Sequence, residues 1–131
     1  PEELKRFLAH APANILVKYR DPDSLANRIK HDLRQMPADT WPETEGLAAT
    51  LCISASTLRR RLAEEGQSYQ GLKDSVRKEL AIVWLAEPQI SFAEIAARLG
   101  FADTSSFYKA FRKWAGSNPG HYRSLILGEP R

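Results

Sequence analysis

Apolar residues recur three and four positions apart along most of this chain, the spacing that gathers them on one face of an α-helix. From Asp23 to Met36 the series is Leu25, Ile29, Leu33 and Met36, and Pro37 stops it. After a connector, Ala38–Pro42, a helix is expected near Glu43–Leu51. A second short helix follows from Ser54, whose hydroxyl can accept from a free first-turn amide, to about Glu65, ending at Gly66. A longer helix is expected over roughly Tyr69 to Glu87, striped by Leu72, Val76, Leu80, Val83 and Trp84 and ended by Pro88. Ser91-Phe-Ala-Glu94 reads as a capping box opening a helix that ends at Gly100. Another runs from about Asp103 to Ala115 and stops at Gly116, and Asn118-Pro119 opens a last one toward Leu127.

Upstream of these, Glu2–His10 reads as a short helix with Leu4, Phe7 and Leu8 on one face, followed by a linker over Ala11–Pro22. Ile15-Leu16-Val17 is the single candidate for an extended segment. The expected class is therefore all-α, with about seven helices.

Two of the predicted helix pairs repeat each other. Leu47-Ala-Ala-Thr-Leu51-Cys52-Ile53 lines up with Ile95-Ala-Ala-Arg-Leu99-Gly100-Phe101, and after the turn Leu58 and Leu62 answer to Phe107 and Phe111. Each unit has what a helix-turn-helix needs: small residues (Ala48, Ala49; Ala96, Ala97) where the second helix crosses, and a turn between the helices. Gly100 supplies the positive φ such a turn favours, whereas Cys52 stands in its place in the first unit and implies strain or another geometry there. Glu43 likewise stands where the second unit has the capping Ser91. The units are expected over residues 43–66 and 91–116, with the long helix 69–87 as linker and 118–127 as the closing helix, a homeodomain-like arrangement. That linker would be roughly 28 Å long at about 1.5 Å per residue, close enough to the ~34 Å major-groove repeat to place two helices in adjacent grooves.

With the apolar residues of each second helix turned inward, a polar face is left over. In the first unit it carries Ser56, Arg59 and Arg60; in the second, Thr104, Ser105 and Ser106 occupy the first turn, with Lys109 and Arg112 beyond. Short hydroxyls at a helix start permit close approach to phosphates or base edges, and arginine can donate two parallel hydrogen bonds to guanine or clamp a phosphate. Charge distribution agrees with a polyanionic partner. Residues 1–53 hold seven Lys/Arg against eight Asp/Glu, residues 54–131 twelve against eight, within a net charge of +3.

Other chemistry finds little footing. Cys52 is the sole cysteine, which excludes an internal disulfide and suits a reducing, intracellular setting. His10, His31 and His121 lie far apart, without a second ligand at metal-site spacing, so neither metal nor cofactor is expected. Glu64–Glu65 has no paired base, and no enzyme is expected. No stretch of some twenty apolar residues could span a membrane. A start at Pro1, without a charged-then-apolar leader, reads as a piece of a longer chain.

The series Phe101-x-Asp-x-Ser-Ser-Phe107-x-Lys-x-Phe111-Arg-Lys-x-x-Gly116-x-x-Pro119-x-x-Tyr122-Arg123 closely resembles the C-terminal signature of AraC/XylS-type bacterial transcription regulators. Ser54-x-x-Thr-Leu58-Arg-Arg-x-Leu62 and Arg77-x-x-x-Ala81-x-x-x-Leu85 resemble the same family's first unit and linker helix, so the likeness spans roughly Asp23–Leu127. The resemblance implies a seven-helix domain at residues 22–127 that binds double-stranded promoter DNA, one unit per major groove. It implies base reading by Ser56, Arg59 and Arg60 and by Thr104, Ser105, Ser106 and Lys109, with Thr57, Arg77, Arg112 and Arg123 as phosphate or structural partners. It further implies a small-molecule effector acting only through a separate N-terminal effector or dimerisation domain, of which residues 1–21 would be the tail and linker. A cytoplasmic, nucleoid-associated protein is expected, and contact with RNA polymerase in addition to DNA is compatible with this reading. The rival reading is a helical protein-interaction module that docks on RNA polymerase without binding DNA; salt-dependent duplex binding separates the two.

Overall fold

The computed structural model describes residues 24–128, and the expectations for residues 1–21 lie outside these described residues. Seven α-helices and one 3₁₀ turn follow in order: α1 (Leu25–Arg34), the turn Ala38–Thr40, α2 (Thr44–Thr50), α3 (Ala55–Glu64), α4 (Tyr69–Leu85), α5 (Phe92–Arg98), α6 (Thr104–Ala115) and α7 (Pro119–Leu127). No strand occurs among the described residues, so the all-helical class holds.

Short polar side chains start most of these helices by accepting an otherwise free first-turn amide. Ser54 accepts from the Thr57 amide at 3.0 Å, Ser68 from Gly71 at 3.0 Å, Ser91 from Glu94 at 3.1 Å, Asp103 from Ser106 at 2.7 Å and Asn118 from His121 at 2.7 Å. The expected capping box at Ser91 is only half made, because the Glu94 carboxylate pairs with Arg98 one turn on. α2 starts at Glu43 without a side-chain cap. α1 is capped twice: Ser24 accepts from Asn27, and the Glu65 carboxylate, forty residues downstream, accepts from the amides of Leu25 and Ala26 at 3.0 Å each. The start of α1 is thereby tied to the end of α3.

Two separate cores form, and α4 belongs to both. The first gathers Ile29 and Leu33 of α1, Leu47 and Ala48 of α2, Leu58 and Leu62 of α3, and Tyr69, Leu72 and Val76 of α4. The second gathers Ala81 and Leu85 of α4 with Ile95, Ala96, Leu99, Phe107 and Phe111. Leu80 packs against both. This corrects the single stripe expected along the linker: Val83 is 59% exposed, and Leu80 and Trp84 are half-buried flanks. The reason is angular. Leu72 and Ala81, like Val76 and Leu85, are nine residues apart, about two and a half turns, and therefore point to opposite sides. The units sit on opposite faces of one helix, and Val83 falls on the first unit's side beyond that unit's end.

Candidate nucleic-acid interface

Each second helix is set on its first by the same turn. After α2 the amides of Cys52 and Ile53 donate to the carbonyls of Ala49 and Ala48; after α5 those of Gly100 and Phe101 donate to Ala97 and Ala96, all at 3.0 Å. This paired pattern is a Schellman closure, which needs a left-handed residue at its next-to-last position, held here by Cys52 and Gly100. Gly100 has φ 85° and Cys52 has φ 62°, the sole non-glycine with positive φ among the described residues. Cys52 therefore adopts the second unit's geometry and carries the strain, rather than evading it.

The turns deliver α3 and α6 with Leu58 and Leu62, or Phe107 and Phe111, fully inward. What remains outside matches between the units. Ser56, Arg60 and Ala63 stand four and three residues apart on the exposed side of α3; Ser105, Lys109 and Arg112 do the same on α6. Arg59 is also exposed, but its counterpart Tyr108 is half-buried, packed edge-on against Phe92 at 5.8 Å. Thr104 and Ser106 are half-buried at the edge of this face. Ser106 is occupied as a cap partner: its amide and hydroxyl both bond the Asp103 carboxylate, which holds that carboxyl below its ordinary range, with Lys109 nearby adding to the effect. Thr57 occupies the equivalent place, its hydroxyl 2.9 Å from Ser54 Oγ.

The two faces differ in how free their cations are. Arg60 Nη1 lies 3.2 Å from Glu64 and Arg59 Nη2 lies 3.6 Å from Glu45, both pairs well exposed. On α6, no carboxylate among the described residues is within ion-pair distance of Lys109, Arg112 or Lys113. Exposed pairs contribute about 0–1 kcal/mol, so an incoming phosphate can displace Glu45 or Glu64 at modest cost. Lys113 joins this set although the sequence reading passed over it; its place four residues after Lys109 was the available signal.

Two of the residues expected as phosphate or structural partners make contacts inside the protein. Arg123 Nε donates to the Leu85 carbonyl at 2.9 Å, and its Nη2 reaches those of Ile90, Glu87 and Trp84 at 2.7, 3.1 and 3.3 Å. Its guanidinium also stacks 4.7 Å from the Phe92 ring. It donates to carbonyls at and just past the end of α4 and is an internal tie from α7. Arg77 likewise donates to the Leu99 carbonyl and lies between Trp41 and Phe101. Of the two roles expected for them, phosphate or structural partner, these contacts are of the structural kind.

No group of three or more His, Cys, Asp or Glu among the described residues is arranged to hold a metal ion, and no described helix is long and apolar enough to cross a membrane.

A family model described as "Helix-turn-helix domain" matches residues 47–124. The chain is 43% identical over 101 residues to the ornithine utilization regulator of Pseudomonas aeruginosa, a match covering 77% of this chain and 30% of that protein. Among solved structures, the transcriptional regulator CdpR from Pseudomonas aeruginosa superposes with a TM-score of 0.70 at 39% identity, covering 76% of this chain and 31% of that one. The C-terminal domain of AraT, a response regulator from Geobacillus stearothermophilus, gives a TM-score of 0.70 at 26% identity, covering 80% and 88%. The chain thus spans about a third of the full-length regulators it matches.

Proposed function

The chain belongs to the AraC-type helix-turn-helix family of DNA-binding transcription regulators, and from that membership we propose that α3 and α6 enter adjacent major grooves of one duplex. The observation that carries this reading is the pair of matching outward faces, Ser56 and Arg60 on α3, Ser105 and Lys109 on α6, each set by the same turn. On this reading Ser56, Arg59, Arg60, Thr104, Ser105 and Lys109 read bases, and Ser106 supports the start of α6. Arg112, Lys113 and Thr57 meet phosphates. A side chain at the centre of such a face reaches the groove floor, and those at its margins reach the strands on either side.

Phosphate contacts give the affinity its salt dependence. Titrating a labelled duplex between 50 and 200 mM salt is the test, and the two cationic phosphate contacts, Arg112 and Lys113, by themselves correspond to a loss of roughly tenfold. Binding that is absent, or indifferent to salt, returns the chain to the rival reading of a helical protein-interaction module. The module is read as acting by binding rather than turnover, in the cytoplasm at the nucleoid. Contact with RNA polymerase and response to a small-molecule effector are assigned to the longer parent protein, the effector through its N-terminal domain.

A further inference from the structure

The two units meet along a narrow seam, and a single guanidinium fills its centre. Arg77 stands on α4 between the two cores, its side chain only 19% exposed. Its Cζ lies 5.0 Å from the Trp41 ring centroid and 5.7 Å from that of Phe101. Nε donates to the Leu99 carbonyl at 3.3 Å, and Nη1 is 3.6 Å from Asp74 Oδ1. Trp41 belongs to the first unit: it packs on that core, and its indole N–H is held by the Leu33 and Met36 carbonyls. Phe101 belongs to the second, packed against Phe107 and Trp114. Beside Arg77 the backbones themselves approach. A Cβ on Gly100 would lie 3.5 Å from the Asp39 nitrogen and 3.6 Å from the Ala38 carbonyl. Beyond that contact the seam opens into a shallow cleft lined by Pro37, Asp39, Trp84, Ala97 and Arg98.

Leu99 and Phe101 flank Gly100 in the turn that launches α6, so Arg77 grips the part of the second unit that aims its outward face. At the same time it stacks on the first unit. Because the units hold opposite sides of α4, rocking about that helix is resisted by what fills the seam. We propose that Arg77 is a positioning residue that fixes the distance and angle between α3 and α6, and thereby sets how many base pairs may separate the two blocks of the DNA site. The inference rests on the two-helix reading of DNA above. Arginine suits the task because a planar guanidinium stacks on aromatic faces while its edge donates to a carbonyl, which an ammonium cannot do in the same way.

The test compares duplexes carrying a selected site with derivatives having one base pair inserted or removed between the blocks. One base pair shifts the blocks by about a tenth of a helical turn. The wild-type chain is expected to lose at least about tenfold in affinity on the altered spacings, a difference of roughly 1.4 kcal/mol. Arg77→Ala, confirmed folded by circular dichroism at the assay temperature, is expected to lose less than about threefold while still binding the unaltered site. Arg77→Lys, which keeps the stem and charge, should fall between and serves if the alanine variant does not fold. A residue that only supported the fold would weaken all duplexes by one factor and leave the ratio unchanged; that result in a folded variant overturns the proposal.

A second readout needs no DNA. Backbone residual dipolar couplings of both units should fit one alignment tensor in the wild type and diverge in the folded Arg77 variant. A common tensor in both also overturns the proposal. If the wild type binds no duplex at all, the DNA reading fails, and the couplings still decide the seam.

Discussion

Cys52 and Gly100 hold the same place in two turns with the same hydrogen bonds, at φ 62° and 85°. One position suits its residue and the other does not. The first unit therefore keeps the geometry that aims α3 at an energetic cost the second unit avoids.

That difference gives a stability prediction. A left-handed conformation costs a residue with a Cβ about 1–2 kcal/mol, partly offset because glycine loses more backbone freedom on folding. Cys52→Gly should stabilise the chain by roughly 0.5–1 kcal/mol, and Cys52→Val should destabilise it. Urea unfolding checks both; a Cys52→Gly variant no more stable than wild type would show the turn to be unstrained.

Substitutions on the outward faces should separate base contacts from phosphate contacts. Arg60→Ala and Lys109→Ala are each expected to cost about 1–3 kcal/mol on the preferred sequence and to relax preference at one position. Equal losses on preferred and random duplexes would move the residue to the phosphate class, and unchanged binding would remove it from the interface. Arg112→Ala and Lys113→Ala should weaken all duplexes alike, each lowering the salt slope by about one.

Arg123 should behave oppositely. Removing it takes the charged donor from the carbonyls of Leu85 and Ile90, at and just past the end of α4, and charge-assisted hydrogen bonds of this kind contribute about 1.5–3 kcal/mol. Arg123→Ala should lower unfolding stability by about that amount while the salt slope of DNA binding stays as in wild type. A reduced slope with unchanged stability would return Arg123 to the DNA surface.

Acid should loosen two specific contacts. Asp103 is held below its ordinary pKa by the Ser106 amide and hydroxyl, and Glu79 by its hydrogen bond to Arg34, with oxygen–nitrogen distances of 2.8 and 3.0 Å. A carboxyl whose folded pKa is depressed contributes stability above its unfolded value and loses it as pH falls through the folded one. Stability should therefore decline below about pH 4, and Asp103→Asn combined with Glu79→Gln should flatten that decline. An acid limb of unchanged steepness in the double variant would assign it to other carboxyls.

Seven helices were legible because their punctuation is local: Ser54, Asp103 and Asn118 cap within three residues of themselves, and Pro37 and Pro88 stop their runs. The repeat was legible because Leu47–Ile53 and Ile95–Phe101 solve one packing problem twice. The two-sidedness of α4 was not, since periodicity finds one stripe and cannot show that Leu72 and Ala81 serve different cores. The roles of Arg77 and Arg123 were hidden for a related reason. A guanidinium bound to carbonyls looks the same in sequence as one awaiting a phosphate, and the carbonyls it finds lie 22 to 39 residues away. The Glu65 cap on α1 is equally remote. Conversely, Ser106 and Thr57 could have been recognised as cap partners from their place three residues after Asp103 and Ser54.

The central claim, that α3 and α6 read one duplex together, is tested most directly by selecting bound sequences from a random duplex pool with the wild-type chain. Two enriched blocks with centres about one helical turn apart, the one matched to α6 surviving Arg60→Ala and the one matched to α3 surviving Lys109→Ala, are the predicted result. A single enriched block, or no enrichment above the starting pool, would contradict it.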